Sequence, residues 1–600
     1  MQITRTFDLL EQLRSKYPKN DILASKVDGR WKVCSSSDYY LNSHYMAAAL
    51  YELGFRKGDH ILTVSNSSPE WNFLDMGLSM LGIVHVPVYP SLHEEEYIFI
   101  FKHSDAKAIV VGDKILYQRV SNAIKNTQNI TAVYSIAPIG DMLSCGDMLE
   151  MGKNAYPKLE TTINEIKNSI VPDDFFTMIY TSGTTGVSKG VMLTHHNMVT
   201  NFKATSLIQP LNEQHKTLSF LPICHVFERM LNYHYQYLGI GVYYAENIGT
   251  IGDNLKEIKA DGMTTVPRLL EGIHDKIVSK GKDLSGIKKR IFFWALGIAL
   301  KFDVEGQSLW YKMKYKIAYK LVFEKWRQAL GGNLRIVVCG GSALQVRLLR
   351  LFWAMGVYVI EGYGLTETSP VISCNTSLLP NVKFGTVGKA LDGITIKIDD
   401  TGEILCKGPN VMMGYYKDEA YTKEVIDAEG WFHTGDIGQW VDGDFLKITD
   451  RKKEIFKNSG GKYIAPQLIE NKCKESIFIE QLLVVGENEK FAAALISPNF
   501  NYLHFWALKH KIHYRDNTEL LKQPEVIARF QREITQMNKG FSSHEQIKKF
   551  RLVPEDWTSA NGALSPTLKL KRKFLYEKYD ALLKEMYSYA PEEVNRAIKS

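Results

Sequence analysis

The chain has 600 residues, of which 45% are hydrophobic and 23% are charged. This length is too great for one hydrophobic core, so a single-domain protein is excluded and two or more domains are expected. The composition is that of an ordinary soluble globular protein. The formal net charge of +7 is modest; it is weak evidence for nucleic acid and fits anionic small molecules or membrane surfaces equally well.

The cysteines and the apolar segments indicate an intracellular protein. The seven cysteines are scattered and form no CxxC pair, which favours reduced thiols over a disulfide framework or a zinc site. The N-terminal segment MQITRTFDLLEQLRSKYPKND has no apolar signal-peptide core, and no apolar run is long enough to span a bilayer. We therefore expect a cytoplasmic protein without a membrane-spanning helix.

Strand-like and helix-like segments alternate from the N-terminus to about residue 170. A periodic segment, SHYMAAALYELGF (43–55), predicts a helix, and three segments rich in β-branched residues predict buried strands at 60–68, 82–90 and 106–113. The same pattern resumes further along, with predicted strands at 216–223, 241–247, 262–267, 334–341 and 357–364. Such alternation predicts an α/β fold with parallel strands.

The stretch YTSGTTGVSKGVMLTHHN (180–197) is the first candidate site. It follows an apolar segment, FFTMIY (175–180), that predicts a buried strand. Glycines allow backbone N–H groups to approach phosphates, hydroxyls add donors and a lysine adds a cation. The candidate polyphosphate-binding residues are Thr181, Ser182, Gly183, Thr184, Thr185, Gly186 and Lys189. A flexible surface loop is the alternative, and the spacing excludes a Walker A loop.

Residues 276–328 form a basic segment that we interpret as a helical insertion. They contain 13 Lys or Arg residues and 4 Asp or Glu residues, with aromatic and aliphatic residues between them. One interpretation is a helical hairpin packed on the body with a solvated basic face. The other is an interfacial patch on anionic lipid.

Two Gly-rich turns, CGGSAL (339–344) and EGYGLTET (361–368), each follow a predicted strand. Ligands of open α/β sheets bind beyond the carboxyl ends of strands, where these turns would lie. Gly340, Gly341 and Gly362 would let the backbone approach a planar base, and Tyr363 offers a ring to stack on it. A tight turn without a ligand is the simpler explanation for a Gly-Gly pair.

The pattern changes to short strands and Gly turns from about residue 385, which predicts a β subdomain over about 385–450. A segment rich in charge and glycine, DRKKEIFKNSGGKYIAPQLIE (450–470), follows, and we place the boundary to a small C-terminal domain there. A hairpin is predicted in that domain at 481–499.

Several of these segments resemble motifs of the AMP-forming acyl-adenylate synthetases, in the family's order and over nearly the whole chain. They are SGTTGVSKGVMLTHHN, EGYGLTET, WFHTGDIG (431–438) and LSPTLKLKR (564–572). LPICHVFER (221–229) and VPRLLEGI (266–273) are most similar to the long-chain fatty acid–CoA ligases within that family.

The resemblance implies an α/β fold with a large N-terminal domain (1–450) of α/β sheets plus a β subdomain, and a small mobile α+β C-terminal domain (451–600). A hinge is implied near 450–455, with the pivot at Lys453. It also implies two half-reactions in one site. A fatty-acid carboxylate attacks MgATP to give acyl-AMP and pyrophosphate, and the CoA thiol then takes the acyl group and releases AMP. The implied partners are therefore fatty acid, ATP, Mg²⁺ and CoA, and no nucleic acid.

Site roles carry over only where the motifs match. His225 would lie near the carboxylate, although a lone histidine after an apolar segment is more often structural. Tyr363 would contact adenine, Thr366 the α-phosphate, and Glu367 with Thr184 the Mg²⁺ ion. Asp436 and Arg451 would contact the ribose. The remaining residues implied to contact nucleotide or to enter the site after the pivot are Gly340, Gly341, Ser342, Gly362, Gly364, Lys453, Gly460 and Gly461.

Lys569 matches the family's adenylation lysine, although Leu568 stands where relatives have glycine, and Lys571 is the alternative. Two rival functions stay open. One is a fatty acyl-AMP ligase that loads a carrier protein, and the other is a membrane-associated scaffold with a degenerate adenylate fold. The sequence leaves chain-length preference, oligomeric state and peripheral contact with the inner face of a membrane undecided.

Overall fold

The structure, a computed structural model, describes residues 2–182, 188–565 and 569–588 and consists of two compact units. The first unit comprises Met1–Lys397, Leu405–Thr434 and Trp440–Lys447, and the second comprises Ile398–Ile404, Gly435–Gln439 and Ile448–Ser600. The second unit thus includes two short segments that precede residue 450 in the chain. Nowhere in these described ranges is a helix both long and apolar enough to cross a membrane.

One of the two large sheets of the first unit has seven strands. In spatial order they are Gly414–Tyr415, Ser188–Thr194, Phe175–Ser182, Val84–Val88, His60–Val64, Ala108–Val111 and Ala132–Ser135. The last five run parallel to one another, and Ser188–Thr194 is antiparallel to both of its neighbours. Val84–Val88 and Ala108–Val111 are buried along their whole length, as parallel strands covered on both faces require.

The other large sheet has nine strands. In spatial order they are Lys389–Ala390, Val371–Cys374, Tyr358–Gly364, Ile336–Cys339, Gly262–Thr265, Lys216–Ser219, Gly241–Tyr244, Leu23–Val27 and Arg30–Cys34. The six from Tyr358–Gly364 to Leu23–Val27 run parallel. The predicted α/β class with parallel strands is therefore confirmed.

Helices connect these strands. They are Asp8–Ser15, Ser36–Glu52, Pro69–Met80, Glu94–His103, Lys114–Lys125, Cys145–Ser169, His195–Ser206, Val226–Tyr237, Ile251–Ile258, Pro267–Asp283, Gly286–Ala299, Leu309–Ala318, Glu324–Ala329, Val346–Ala354 and Glu419–Val425. Short 3₁₀ turns occur at Ile248–Thr250 and Thr366–Thr368, and a π turn at Tyr319–Phe323. The basic segment 276–328 is helical and lies in the crossover between the parallel strands Gly262–Thr265 and Ile336–Cys339.

Four further strands, Thr395–Ile398, Glu403–Lys407, Phe432–Val441 and Phe445–Arg451, occupy the stretch where short strands are predicted. From residue 456 onward the second unit has the strands Phe456–Lys457, Tyr463–Ile464, Ile479–Val485, Ala493–Pro498 and Lys549–Leu552. Its helices are Pro466–Cys473, Phe500–Lys509, Asn517–Leu521, Pro524–Asn538, Arg572–Lys578 and Asp580–Tyr587. Ile479–Val485 and Ala493–Pro498 pair antiparallel, as the predicted hairpin requires.

Two histidines of the first unit are buried in neutral form. His195 and His234 are at most 1% exposed, and the Nε2 atom of each has no hydrogen-bond partner in the described chain. Burial lowers the pKa of each ring to about 3. In the unfolded chain the same rings titrate near pH 6.5.

This difference predicts a loss of stability in acid. Between about pH 6.5 and pH 3 the unfolded chain binds protons at His195 and His234 that the folded chain does not bind, so the free energy of unfolding falls as the pH falls. We expect the thermal unfolding midpoint to be lower at pH 4.5 than at pH 7. In His234→Leu the difference between the two midpoints should be smaller. His196→Leu, at an exposed position, is the control. An unchanged pH dependence in His234→Leu would contradict the assignment.

Candidate functional site

Three of the predicted motifs lie at one edge of the nine-stranded sheet. LPICHVFER begins two residues after Lys216–Ser219, CGGSAL continues Ile336–Cys339, and EGYGLTET continues through the end of Tyr358–Gly364. These strands belong to the parallel part of the sheet. Because carboxyl ends of parallel strands share an edge, the fold brings the three motifs to the position where ligands of open α/β sheets bind.

The predicted phosphate loop joins two antiparallel strands, Phe175–Ser182 and Ser188–Thr194. Thr181 is paired with Lys189 across this hairpin, and Ser182 ends the first strand. Gly183, Thr184, Thr185 and Gly186 lie outside the described residues. The fold therefore places the two ends of the loop side by side, with the lysine on the second strand.

Two tyrosines that the sequence analysis missed lie beside Lys189. Its ammonium nitrogen is 2.9 Å from the ring centroid of Tyr421 and 5.3 Å from that of Tyr415, a cation–π arrangement. The Tyr415 hydroxyl donates a hydrogen bond to Oε1 of Glu367 at 2.8 Å. Burial, followed by the neighbouring Glu367 carboxylate, raises the pKa of Tyr415, so it stays a protonated donor. Tyr415 thus connects Lys189 to Glu367.

The two Gly-rich turns are tied together by a buried acid. Glu361 is 7% exposed, and its Oε1 accepts a hydrogen bond from the Leu344 N–H at 3.2 Å. Burial raises the pKa of Glu361 to about 8, so the acid is mostly neutral at pH 7. The contact fixes the end of CGGSAL against the start of EGYGLTET.

Packing explains two of the glycines without a ligand. A Cβ atom on Gly340 would lie 2.9 Å from the Phe227 ring, and one on Gly364 would lie 1.7 Å from the Pro370 carbonyl oxygen. Gly341 has φ +83°, which favours glycine, and with Ser342 it is exposed. Tyr363 is only 8% exposed, so little of its ring is open to a ligand in this structure. Gly362 is half-buried.

His225 is the N-cap of the helix Val226–Tyr237. Its Nδ1 accepts a hydrogen bond from the Phe227 N–H at 3.1 Å, and its ring meets that of Tyr89 edge-on, with 6.1 Å between the centroids. With Nδ1 as the acceptor, the proton of the neutral ring is assigned to Nε2. The cap fixes the orientation of this ring at the edge of the sheet.

The next two charged residues of this motif have a structural role. Glu228 is fully buried and hydrogen-bonded to Ser219, and burial raises its pKa to about 7. Arg229, also fully buried, forms an ion pair with Asp75 and donates to Thr177 Oγ1 at 2.6 Å. Glu228 and Arg229 therefore hold the helix in place, whereas His225 caps its N-terminus.

An apolar cavity of about 30 Å³ lies behind this edge. Its wall combines the helices that carry Thr205 and His234 with the parallel strands, and its apolar lining includes Ile208, Leu211, Phe227, Met230, Leu231, Val338, Ile360, Gly362 and Val371. The volume suffices for about one water molecule, so the lining must move apart before a long apolar ligand can enter. Gly362 and Phe227 belong to the two motifs described above.

The second unit brings two of the predicted ribose residues together. The Arg451 Nε lies 2.9 Å from Asp436 Oδ1, and Asp436 is 3% exposed. The neighbouring Asp450 accepts hydrogen bonds from the N–H groups of Arg451 and Gln467. Burial raises the pKa of Asp450 to about 7, an acid that sequence reasoning did not identify.

The predicted pivot residue and the glycines implied to enter the site after the pivot lie on the surface of the second unit. Lys453, Gly460 and Gly461 are exposed. Asn458 Oδ1 accepts hydrogen bonds from the N–H groups of Gly460 at 3.1 Å and Lys462 at 2.9 Å. An asparagine, rather than the glycines alone, therefore shapes this turn.

Lys569 is hydrogen-bonded to Ser565 through its main chain. Its carbonyl accepts from the Ser565 N–H at 2.7 Å and its N–H donates to Ser565 Oγ at 3.1 Å. Lys569 is exposed and Lys571 is half-buried. Arg572 follows, and its guanidinium donates to Glu454 at 2.9 Å and to Glu470 at 2.8 and 2.7 Å. This buried ion cluster anchors the segment and leaves the predicted lysine at the surface.

The side chains present suit a magnesium ion that is coordinated mainly by the phosphates of a bound nucleotide. Glu367 offers carboxylate oxygens, the ligand type that hard cations prefer. In the described part of the chain no three His, Cys, Asp or Glu side chains are grouped to hold a metal. Mg²⁺ commonly binds through one or two carboxylates plus substrate phosphates, and a single carboxylate linked through Tyr415 to Lys189 of the predicted phosphate-binding stretch is compatible with that description.

Known proteins match both parts of the chain. Residues 10–416 match the AMP-binding enzyme family, and residues 454–591 match the AMP-binding enzyme C-terminal domain. A long-chain-fatty-acid–CoA ligase of Mycobacterium bovis is 31% identical over 570 residues, which cover 94% of this chain and 93% of that protein. Long-chain-fatty-acid–CoA ligase 5 of Rattus norvegicus is 32% identical over 598 residues, covering 92% of this chain and 83% of the relative.

A solved structure shares the fold. The crystal structure of ATP-bound MatB from Rhodopseudomonas palustris superimposes with a TM-score of 0.70 at 19% identity, covering 96% of this chain and 99% of that one. The family match extends over more than half of the chain, and the relatives exceed 30% identity over most of it. The chain belongs to the AMP-binding enzyme family.

Proposed function

We propose that the protein activates long-chain fatty acids with ATP to acyl-AMP and then transfers the acyl group to CoA, giving acyl-CoA, AMP and pyrophosphate. The observation that carries this proposal is that two predicted motifs contribute Gly362 and Phe227 to one apolar cavity, which must widen to admit a long chain. These residues come from EGYGLTET and LPICHVFER, the motifs implied to meet nucleotide and carboxylate. An apolar chain lying there would present its carboxylate to the nucleotide. The two relatives named above are long-chain-fatty-acid–CoA ligases.

The first half-reaction forms a bond between a carboxylate oxygen and the α-phosphorus of ATP and breaks the bond to pyrophosphate. Both reactants are anionic, so positioning and charge neutralisation provide most of the catalysis. Lys189, Thr184, Thr366 and Lys569 are the residues that we propose for this role, and Glu367 with Thr184 would hold Mg²⁺. Bound Mg²⁺ supplies neutralisation of the phosphate charge.

Tyr415 contacts two of these side chains, Glu367 and Lys189. Its hydroxyl holds one oxygen of Glu367, which restricts the carboxylate to one orientation. Its ring, with that of Tyr421, faces the Lys189 ammonium group. We propose that Tyr415 positions both side chains for phosphate binding.

The remaining residues of the site would bind the nucleoside and the carboxylate. Gly340, Gly341, Ser342, Gly362, Gly364 and Tyr363 would surround the adenine, and Asp436 with Arg451 would hold the ribose hydroxyls. The N–H on Nε2 of His225 is suited to donate to the carboxylate of the fatty acid. Burial of Tyr363 in this structure means that its ring must become more accessible when adenine binds.

The second half-reaction is attack of the CoA thiol on the acyl carbon, with AMP as the leaving group. We propose that a pivot at Lys453 moves Lys569 out of the active site and moves the turn with Gly460 and Gly461 into it. Product analysis with CoA present separates this function from that of a fatty acyl-AMP ligase, because only a CoA ligase consumes free CoA. ATP–pyrophosphate exchange with palmitate separates both enzymes from a non-catalytic scaffold.

We propose a cytoplasmic location with peripheral contact at the inner face of an anionic membrane, where long-chain fatty acids partition. The charge of the segment 276–328, with 13 basic and 4 acidic residues, supports such a contact.

The contact between Tyr415 and Glu367 predicts a measurable defect. Tyr415→Phe keeps the ring beside Lys189 and removes the hydroxyl that holds Glu367. A hydrogen bond to a charged group contributes about 1.5–3 kcal/mol, so we expect palmitate-dependent ATP–pyrophosphate exchange to fall about 10–100-fold. Tyr416→Phe is the matched control, because the Tyr416 hydroxyl donates to Asp105 instead. Exchange at the wild-type rate in Tyr415→Phe would show that the Tyr415 hydroxyl does not contribute to acyl-AMP formation.

Lys569 is predicted to serve the first half-reaction only. Lys569→Ala should lose acyl-AMP formation by about 10²–10³-fold, the usual effect of removing one transition-state contact. It should retain most thioester formation from pre-made acyl-AMP and CoA. Lys571→Ala is run beside it in both assays. A selective loss in Lys571→Ala would move the assignment by two residues, and an equal loss of both half-reactions in Lys569→Ala would contradict the alternation.

The cavity predicts a change in chain-length preference. Val338 lines it from the strand Ile336–Cys339 and is half-buried. Val338→Phe should block the path of a long chain and lower the ratio of kcat/KM for palmitate to that for octanoate about tenfold, since a few methylenes in an apolar pocket carry such discrimination. Val338→Ala should keep or raise the ratio. If both variants keep the wild-type ratio, the acyl chain binds elsewhere.

A further inference from the structure

We propose that the outward face of the helix Leu309–Ala318 and the π turn after it is a docking surface for an anionic lipid bilayer. The surface, called the outer stripe below, consists of Trp310, Met313, Ile317 and Leu321. The proposal deepens the peripheral membrane contact proposed above and rests on that part of the proposed function. It names the residues that make the contact.

The inward face of this helix is already packed. Ala318, Val322 and Phe323 are at most 7% exposed and belong to the core that also contains Trp326. The Tyr311 hydroxyl donates to the Ile298 carbonyl at 2.8 Å, and the Tyr315 hydroxyl donates to the Ala354 carbonyl at 3.1 Å. These contacts fix the rotation of the helix about its axis, so the opposite face is held outward.

The outer stripe is apolar and exposed. Trp310 is 71% exposed, Met313 48%, Ile317 47% and Leu321 47%. Their spacing of three or four residues places them on one side of a helix. Leu309, next to the stripe, is 84% exposed. Large apolar side chains grouped in this way on a surface indicate a partner.

Lysines flank the outer stripe. From Leu309 to Lys325 the chain has five lysines and one acidic residue, Glu324, and Lys312, Lys314, Lys316 and Lys320 are all exposed. At helical spacing Lys314 falls on one side of the stripe and Lys316 and Lys320 on the other. Apolar residues with lysines on both sides suit insertion into the headgroup region, where lysine stems lie along the interface and the ammonium groups reach anionic lipid.

The charge pattern favours lipid over a second copy of this chain. Two copies paired through their outer stripes would bring these lysines together, and like charges at short distance repel. An anionic surface is attracted by the same lysines. No helix of the described residues spans a bilayer, and a stripe about three turns long suits contact in the plane of the interface.

The test uses the full chain and co-sedimentation with phosphatidylcholine vesicles, with or without phosphatidylserine, at low and high salt. Two variants separate the contributions. Trp310→Ala with Ile317→Ala removes apolar area, and the combination of Lys312→Gln, Lys314→Gln, Lys316→Gln and Lys320→Gln removes charge. The apolar control is Phe505→Ala with Leu508→Ala, at exposed positions of the second unit. The charge control combines Lys114→Gln, Lys125→Gln, Lys153→Gln and Lys158→Gln, at exposed positions on other helices.

We expect wild-type binding that requires phosphatidylserine and weakens in high salt. The lysine variant should lose on the order of several hundredfold in partition coefficient, since each of its four lysines contributes about fivefold near an anionic surface. The double apolar variant should lose about tenfold, and both controls should stay within about twofold of the wild type.

Three results would overturn the proposal: no binding by the wild type, unchanged binding in either stripe variant, or equal loss in the controls. A wild-type dimer that Trp310→Ala with Ile317→Ala converts to a monomer, measured by light scattering, would assign the stripe to a second copy instead. Pyrophosphate exchange without vesicles is measured for every variant. Exchange at the wild-type rate shows that a variant is folded. If the wild type itself shows no exchange, the proposed reaction is contradicted, while the vesicle-binding result still stands.

Discussion

The ion pair between Arg229 and Asp75 is the constraint on which the arrangement of the first unit depends. Both residues are at most 1% exposed, so each charge has lost its hydration and needs the other. Asp75 is also hydrogen-bonded to His85 at 2.6 Å, on a strand of the seven-stranded sheet, and Arg229 reaches Thr177 on another. Removing one partner of such a pair costs about 3–5 kcal/mol.

This ion pair connects the two large sheets. Arg229 lies in the first turn of Val226–Tyr237, the helix that follows a strand of the nine-stranded sheet. The same helix is capped by His225 and contributes Phe227, Met230 and Leu231 to the cavity wall. A shift of the helix would therefore move the candidate carboxylate contact and the candidate acyl path together. The buried charges act on the site by fixing this helix.

Local patterns sufficed to predict the parallel sheets, because strands covered on both faces tend to be continuous apolar runs such as Ala108–Val111. The motif residues were also visible, since glycine turns follow those strands directly. What the sequence did not show was why each residue is there. Gly340 is needed for the ring of Phe227, and Glu228 with Arg229 are core residues. Their reasons lie in contacts between segments distant in the chain.

The contact of Tyr415 with Glu367 illustrates the same limit. The two residues are 48 positions apart, and Tyr415 lies on a two-residue strand that pairs with Ser188–Thr194. A short strand carries no periodic signal, so neither its pairing nor the orientation of its tyrosine could be predicted. The sequence identified Lys189 and Glu367 separately, and only the pairing of this strand shows that one tyrosine contacts both.

The helix Leu309–Ala318 shows how tertiary structure resolves an ambiguous pattern. Apolar residues occur on both its faces, so its sequence alternates aromatic residues and lysines without a single apolar side. Hydrogen bonds from Tyr311 and Tyr315 decide which face turns inward. Once that face is assigned to the core, the exposure of Trp310 and Ile317 can no longer be attributed to packing. The apolar residues that folding leaves outside are then the ones that need an explanation in terms of binding.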